Sequence, residues 1–117
     1  MKLIKFSVVA TTMLMLAACA QKTTSIYYWG DYQSSLYSYY KEGSAPEKNI
    51  DTLNKVILEA QAKNKPVAPG LHAQLGLLYA NTGRTDLAFQ QFSAEKMAFP
   101  ESASYMDFLM RNKQGAQ

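Results

Sequence analysis

Residues 71–100 read LHAQLGLLYANTGRTDLAFQQFSAEKMAFP, and the spacing within this stretch decides the fold. Leu71, Leu75 and Leu78 recur at the three-to-four-residue spacing of one helix face, which predicts a helix ending near Asn81-Thr82-Gly83. A second helix is predicted from about Thr85 through Ala88, Phe92 and Met97 to Phe99, where Pro100 disfavours helical backbone and stops it. Gly76 and Ala88 are small where two antiparallel helices must approach, and Tyr79 and Phe92 fill the space around that contact.

Outward from this hairpin the same period continues. Ser44-Ala45-Pro46-Glu47 reads as a helix start: a serine cap, proline in the first turn and glutamate three residues after the serine. Ile50, Leu53, Ile57 and Ala60 then form one apolar stripe, Asp51, Lys55, Glu59 and Lys63 face away, and the helix closes before Pro66. Further upstream, Tyr28, Tyr32, Leu36 and Tyr39 or Tyr40 recur at helical spacing, predicting a helix from about Asp31 to Glu42 with Gly43 as its stop. A last helix begins at Ser102 and carries Tyr105, Met106, Leu109 and Met110. No stretch alternates with period two for long enough to argue a strand. The expected fold class is all-α, with about five short helices after a signal segment.

Leu75-Gly76, Tyr79, Ala88, Phe92 and Pro100 together resemble the spacing of a tetratricopeptide repeat. That resemblance implies a helical hairpin in a repeat-like array, with these six residues as its packing set. The chain departs from the repeat pattern at His72, where tryptophan is usual, and at Glu95, where a small residue is expected. One repeat cannot bury its own faces, so the flanking helices are expected to cover it.

The chain opens with a different pattern. Lys2 and Lys5 supply a positive start, an apolar stretch follows from Phe6 to Leu16, and Leu16-Ala17-Ala18-Cys19 resembles the bacterial lipobox. The stretch is broken by Ser7, Thr11 and Thr12, and a spanning helix needs about 20 apolar residues, so cleavage is expected instead of a permanent anchor. The expected organisation is a signal peptide over 1–18, cleaved between Ala18 and Cys19, a lipidated Cys19 and tether over 19–26, and one helical domain over 27–117. Cys19 is the chain's only cysteine, so once acylated it leaves no thiol for a disulfide, metal or nucleophile. Two or three acyl chains anchor stably where one is marginal. Ala20 and Gln21 stand where an aspartate would imply inner-membrane retention, so the lipobox resemblance implies the outer membrane, with the periplasmic face expected.

Removing residues 1–18 takes away Lys2 and Lys5 and leaves ten basic against nine acidic side chains, a net charge of about +1. A polyanion-binding surface is therefore not expected, and nucleic acid is excluded as a partner class. His72 is the only histidine, and one histidine cannot build an ordinary zinc site, so its expected role is helix packing. Asp86, Glu95, Glu101 and Asp107 fall in separate turns and read as a solvated face, except that Glu95 lies on the inner stripe of its helix. No catalytic residue, metal ligand, cofactor or small-molecule substrate is expected.

Seven aromatic rings fall within residues 27–40, more than one face of one helix buries. Tyrosine and tryptophan are enriched at protein interfaces and membrane boundaries, so Tyr27, Tyr28, Trp29, Tyr37 and Tyr40 are candidates for contact with a partner. Tyr32, Leu36 and Tyr39 are expected to face inward with Tyr28.

Three segments, Tyr27-Tyr28-Trp29-Gly30, Pro66 to His72 with Leu75-Gly76, and Glu95-Lys96 with Phe99 to Ser102, resemble an uncharacterised family of small Gram-negative lipoproteins. The resemblance implies an outer-membrane lipoprotein whose gene neighbours include a lipoprotein similar to the curli secretion channel. The expected function is a non-enzymatic helical adaptor or accessory subunit of a cell-envelope lipoprotein complex. The alternative is a peptidoglycan- or glycan-binding envelope module that stacks sugars on Tyr27, Tyr28, Trp29 and Tyr32.

Overall fold

The computed structural model describes residues 1–17 and 24–114. Ala18 and Cys19, the expected cleavage and lipidation positions, lie outside the described residues. Among the described residues there are six α-helices instead of about five, because the expected signal segment is itself helical: α1 Lys2–Ala17, α2 Tyr32–Lys41, α3 Pro46–Ala62, α4 Leu71–Asn81, α5 Thr85–Ala98 and α6 Ala103–Gln114. A short 3-10 turn, Pro100–Ser102, joins α5 to α6. The protein is all-α, with no strand among the described residues.

From α2 onward each helix packs on the next, and α4–α5 is the most extensive of these contacts. Leu53 and Val56 of α3, Leu71, Leu75 and Leu78 of α4, Ala88 and Phe92 of α5 and Met106 of α6 form one buried cluster. Each large aliphatic or aromatic side chain fully removed from water there contributes about 1.5 to 3 kcal/mol. The hairpin crossing is built as its small residues require. A Cβ added to Gly76 would stand 2.5 Å from the Phe92 ring and 3.2 Å from the Ala88 carbonyl, so only glycine lets α4 approach α5 this closely.

Three local readings change. Ala45, not Ser44, is the residue that precedes α3, and it makes no side-chain cap. The Ser44 hydroxyl instead accepts a hydrogen bond from Asn49 Nδ2 at 2.7 Å. Asn49 is buried and also donates to the Ala45 carbonyl at 3.0 Å while accepting from the Ser35 hydroxyl at 2.8 Å, so a polar knot ties α2 to the start of α3. Met97 lies exposed, because the inward face of α5 runs through Ala88, Phe92 and Glu95.

The third concerns Glu95, which lies inward as its stripe position predicts but as a helix cap instead of the small packing residue of the repeat pattern. It is only 3% exposed and serves the first turn of α4. Gly70 precedes that helix with φ of +89°, a backbone that favours glycine and supplies no capping side chain. The Gly70 N–H donates to Glu95 Oε1 at 2.7 Å and the Ala73 N–H donates to Oε2 at 3.3 Å. Two orphan donors of α4 thus find their acceptor on the neighbouring helix, where a negative charge also complements the helix dipole. This accounts for a glutamate where the tetratricopeptide pattern has a small residue.

Candidate functional site

The aromatic segment meets the hairpin through the loop between α3 and α4. The Tyr28 N–H donates to the Pro66 carbonyl at 2.8 Å, and Tyr28 pairs with Val67 in an isolated parallel bridge. These backbone contacts hold the residues before α2 against the end of α3, and the side chains follow. The Tyr28 hydroxyl donates to Glu59 Oε2 at 2.8 Å, while the Lys63 ammonium stands 4.5 Å above its ring. Tyr27 packs edge-on against Phe99 with ring centres 5.8 Å apart. Trp29 stacks on Tyr32 at 6.0 Å and its indole N–H donates to the Ser25 hydroxyl at 2.9 Å.

Tyr27, Tyr28 and Trp29 are therefore half-buried and packed against the core, Tyr28 as its inward reading expects. Tyr32 is buried as expected, and Leu36 and Tyr39 pack partly inward. Burial, then the nearby Glu95 carboxylate, then Tyr40, push the Tyr32 phenol above its ordinary value of 10.0, since each disfavours the phenolate.

The two other candidates behave differently. Tyr37 is 61% and Tyr40 63% exposed. Tyr40 meets Tyr39 edge-on at 4.9 Å and its hydroxyl donates to Gln74 Oε1 of α4 at 3.1 Å, which fixes the ring while leaving most of it in solvent. A fixed exposed ring suits recognition, because little side-chain freedom remains to be lost on binding. Sequence reasoning missed Gln74, Glu59 and Lys63, whose partners lie 31 or more residues away along the chain or above a ring no periodicity places.

Two grooves flank this surface. One, of about 500 Å³, runs between α2 and α3 and is lined by polar side chains together with Tyr37. The other, of about 600 Å³, lies where Tyr27, Ile57, Val67, His72 and Phe99 converge. His72 is hydrogen-bonded through Nδ1 to Gln91 Oε1 at 2.7 Å, so the histidine links α4 to α5 as a packing residue. Among the described residues no three histidine, cysteine, aspartate or glutamate side chains converge to hold a metal ion. No helix among them is long and apolar enough to cross a membrane.

A match to a family of proteins spans residues 26–109, from the start of this aromatic segment through most of α6. The chain belongs to the family described as Domain of unknown function (DUF4810). The DUF4810 match takes in all the rings of the segment, the Gly76–Ala88 crossing and Glu95, so the surface and its support lie within one family unit. No curated protein and no solved structure matches the chain.

Proposed function

We propose that this DUF4810 protein is an outer-membrane lipoprotein, tethered through Cys19, that acts as a non-enzymatic helical adaptor in a cell-envelope lipoprotein complex. The observation that carries the adaptor reading is the pair Tyr37 and Tyr40, which stay exposed on α2 while the other rings of the segment pack inward. Large, amphipathic, held rings of this kind are the side chains enriched at protein interfaces. The lipobox resemblance at Leu16 to Cys19 supports the tether, and the gene neighbourhood implied by the sequence resemblance supports a secretion-channel-like lipoprotein as the partner class.

Cys19→Ser should abolish metabolic labelling by fatty acid and leave unprocessed or mislocalised precursor. Normal mass and membrane fractionation of that variant would defeat the lipoprotein assignment. Tyr40→Ala in the lipidated protein should reduce co-purification of envelope partners from membranes while leaving helical content unchanged, and undiminished recovery would defeat the adaptor surface.

A further inference from the structure

The groove between α2 and α3 has a finished floor and an unfinished rim. On the floor, Ser35 and Asn49 are buried and engaged with each other, and both Asn49 amide hydrogens are already donated. On the rim, the side chains of Asp31, Tyr37, Glu42 and Lys48 line the same space but make no hydrogen bond or ion pair with any described residue. Asp31 stands at the residue before α2 yet gives no side-chain cap, so its carboxylate is not spent on the helix. The floor therefore holds two helices at fixed spacing while four polar groups above it keep their capacity for an outside molecule.

The chemistry of the lining selects the ligand class. It contains no aliphatic side chain, so an acyl chain gains nothing there. Two carboxylates against one ammonium disfavour a polyanion such as a nucleic acid. A peptide adding itself as a strand needs a free backbone edge, and both walls are helices whose backbone groups are already paired. Hydroxyl, carboxylate and ammonium groups around a single exposed ring suit a neutral molecule with many hydroxyls and an apolar face. Carboxylates accept from neighbouring hydroxyls, an ammonium donates to ring and hydroxyl oxygens, and the Tyr37 ring covers the C–H face of a pyranose.

We infer that the α2–α3 groove is a saccharide-binding site in which Tyr37 stacks on a sugar ring and Asp31, Glu42 and Lys48 hold its hydroxyls. Its size falls in the range of small-molecule sites, and its open, trough-like position between two helices admits a chain that continues beyond it. The site shares Tyr37 with the exposed pair of the adaptor reading but not Tyr40, which turns toward Gln74 of α4 and lines no part of the groove, so variants at Tyr40 separate the two.

The test titrates the full-length protein in detergent with a tetramer of N-acetylglucosamine and, separately, with maltotetraose, by calorimetry. Saturable binding of either tetramer is expected, and the one that binds tells an amino-sugar chain from a plain hexose chain. Tyr37→Ala and the pair Asp31→Asn with Glu42→Gln should each weaken binding by about tenfold or more, while Tyr40→Ala leaves it unchanged. All four positions are exposed, so circular dichroism should report an intact fold in every variant. Absence of saturable binding to both tetramers, or wild-type affinity in Tyr37→Ala, overturns the assignment.

Discussion

In the α4–α5 hairpin the side chains on the inner stripe share one fate. Leu71, Leu75, Leu78, Ala88 and Phe92 are all buried, and two polar side chains, Gln74 and Glu95, are buried with them and bonded. In the segment from Tyr27 to Tyr40 a single residue type occupies every degree of burial, from Tyr32 in the core through Tyr27 and Tyr28 at its edge to Tyr37 and Tyr40 in solvent. The difference is one of contact range. The hairpin is fixed by neighbours in one helical turn and by a partner helix three residues away, so periodicity reports it well. The aromatic segment is placed by Pro66, Glu59, Lys63 and Gln74, which arrive from two other helices and a loop.

If the hairpin is a scaffold whose crossing and cap are specified side chain by side chain, it should break where the specification is tightest. The largest effect is expected at Glu95. Glu95→Ala leaves the Gly70 and Ala73 donors without their acceptor, which should cost about 2 to 3 kcal/mol, because an unmet buried donor costs about 1 to 3 kcal/mol. In thermal unfolding of a domain this size that is a fall of roughly 8 °C or more, and an unchanged midpoint would mean that water serves the α4 terminus equally well.

Next in size is the crossing itself. Gly76→Ala drives a methyl into the buried Phe92 ring, and Ala88→Leu overfills the same contact, each at about 1 to 3 kcal/mol. Chemical denaturation of the two single variants and the double variant would sharpen this. Non-additive losses are expected for residues sharing one contact, whereas a neutral Gly76→Ala would show that the helices cross elsewhere.

Tyr32 joins the two regions, and its effect is smaller and confined to alkali. Its phenol is raised above 10.0 in the folded protein, so the neutral form is favoured by folding. The contribution is fully present below the unfolded value and is lost as pH climbs through the folded one. Tyr32→Phe keeps the ring and removes the titration, so its stability should fall less steeply above about pH 10 than that of the wild type. Coincident alkaline unfolding curves would mean that neither burial nor the Glu95 carboxylate holds the Tyr32 phenol above its ordinary range in the native state.

Much of the fold was legible because most helix ends carry local signals. Pro46 opens α3, Gly70 and Gly83 bound α4, and Pro100 closes α5, all within a residue or two of their expected places. The Ser44 cap failed because Asn49, one turn into α3, competes for that hydroxyl. Asn49 falls four residues before Leu53, on the buried stripe, so a polar residue in that register was a readable sign of an internal bond. Glu95 gave the same sign from the inner face of its helix, though its partners at Gly70 and Ala73 could only be seen once α4 and α5 were side by side. At the candidate surface, Tyr37 directly follows Leu36 and so lies about 100° from it around the helix, which turns Tyr37 outward while Leu36 packs partly inward. The contacts of Tyr28 and Trp29 were not legible because the residues before α2 have no period of their own and are positioned by the α3–α4 loop.

The central claim is a division of labour, in which the hairpin supports and the outer face of α2 contacts the partner. It is tested most directly by placing a photo-crosslinking amino acid at position 40 on α2 or at position 93 on α5, both exposed, in the lipidated protein in its own membranes. Irradiation should give discrete higher-mass adducts from position 40 and none from position 93. Adducts from position 93 with none from position 40 would contradict the account and move the partner surface onto the hairpin.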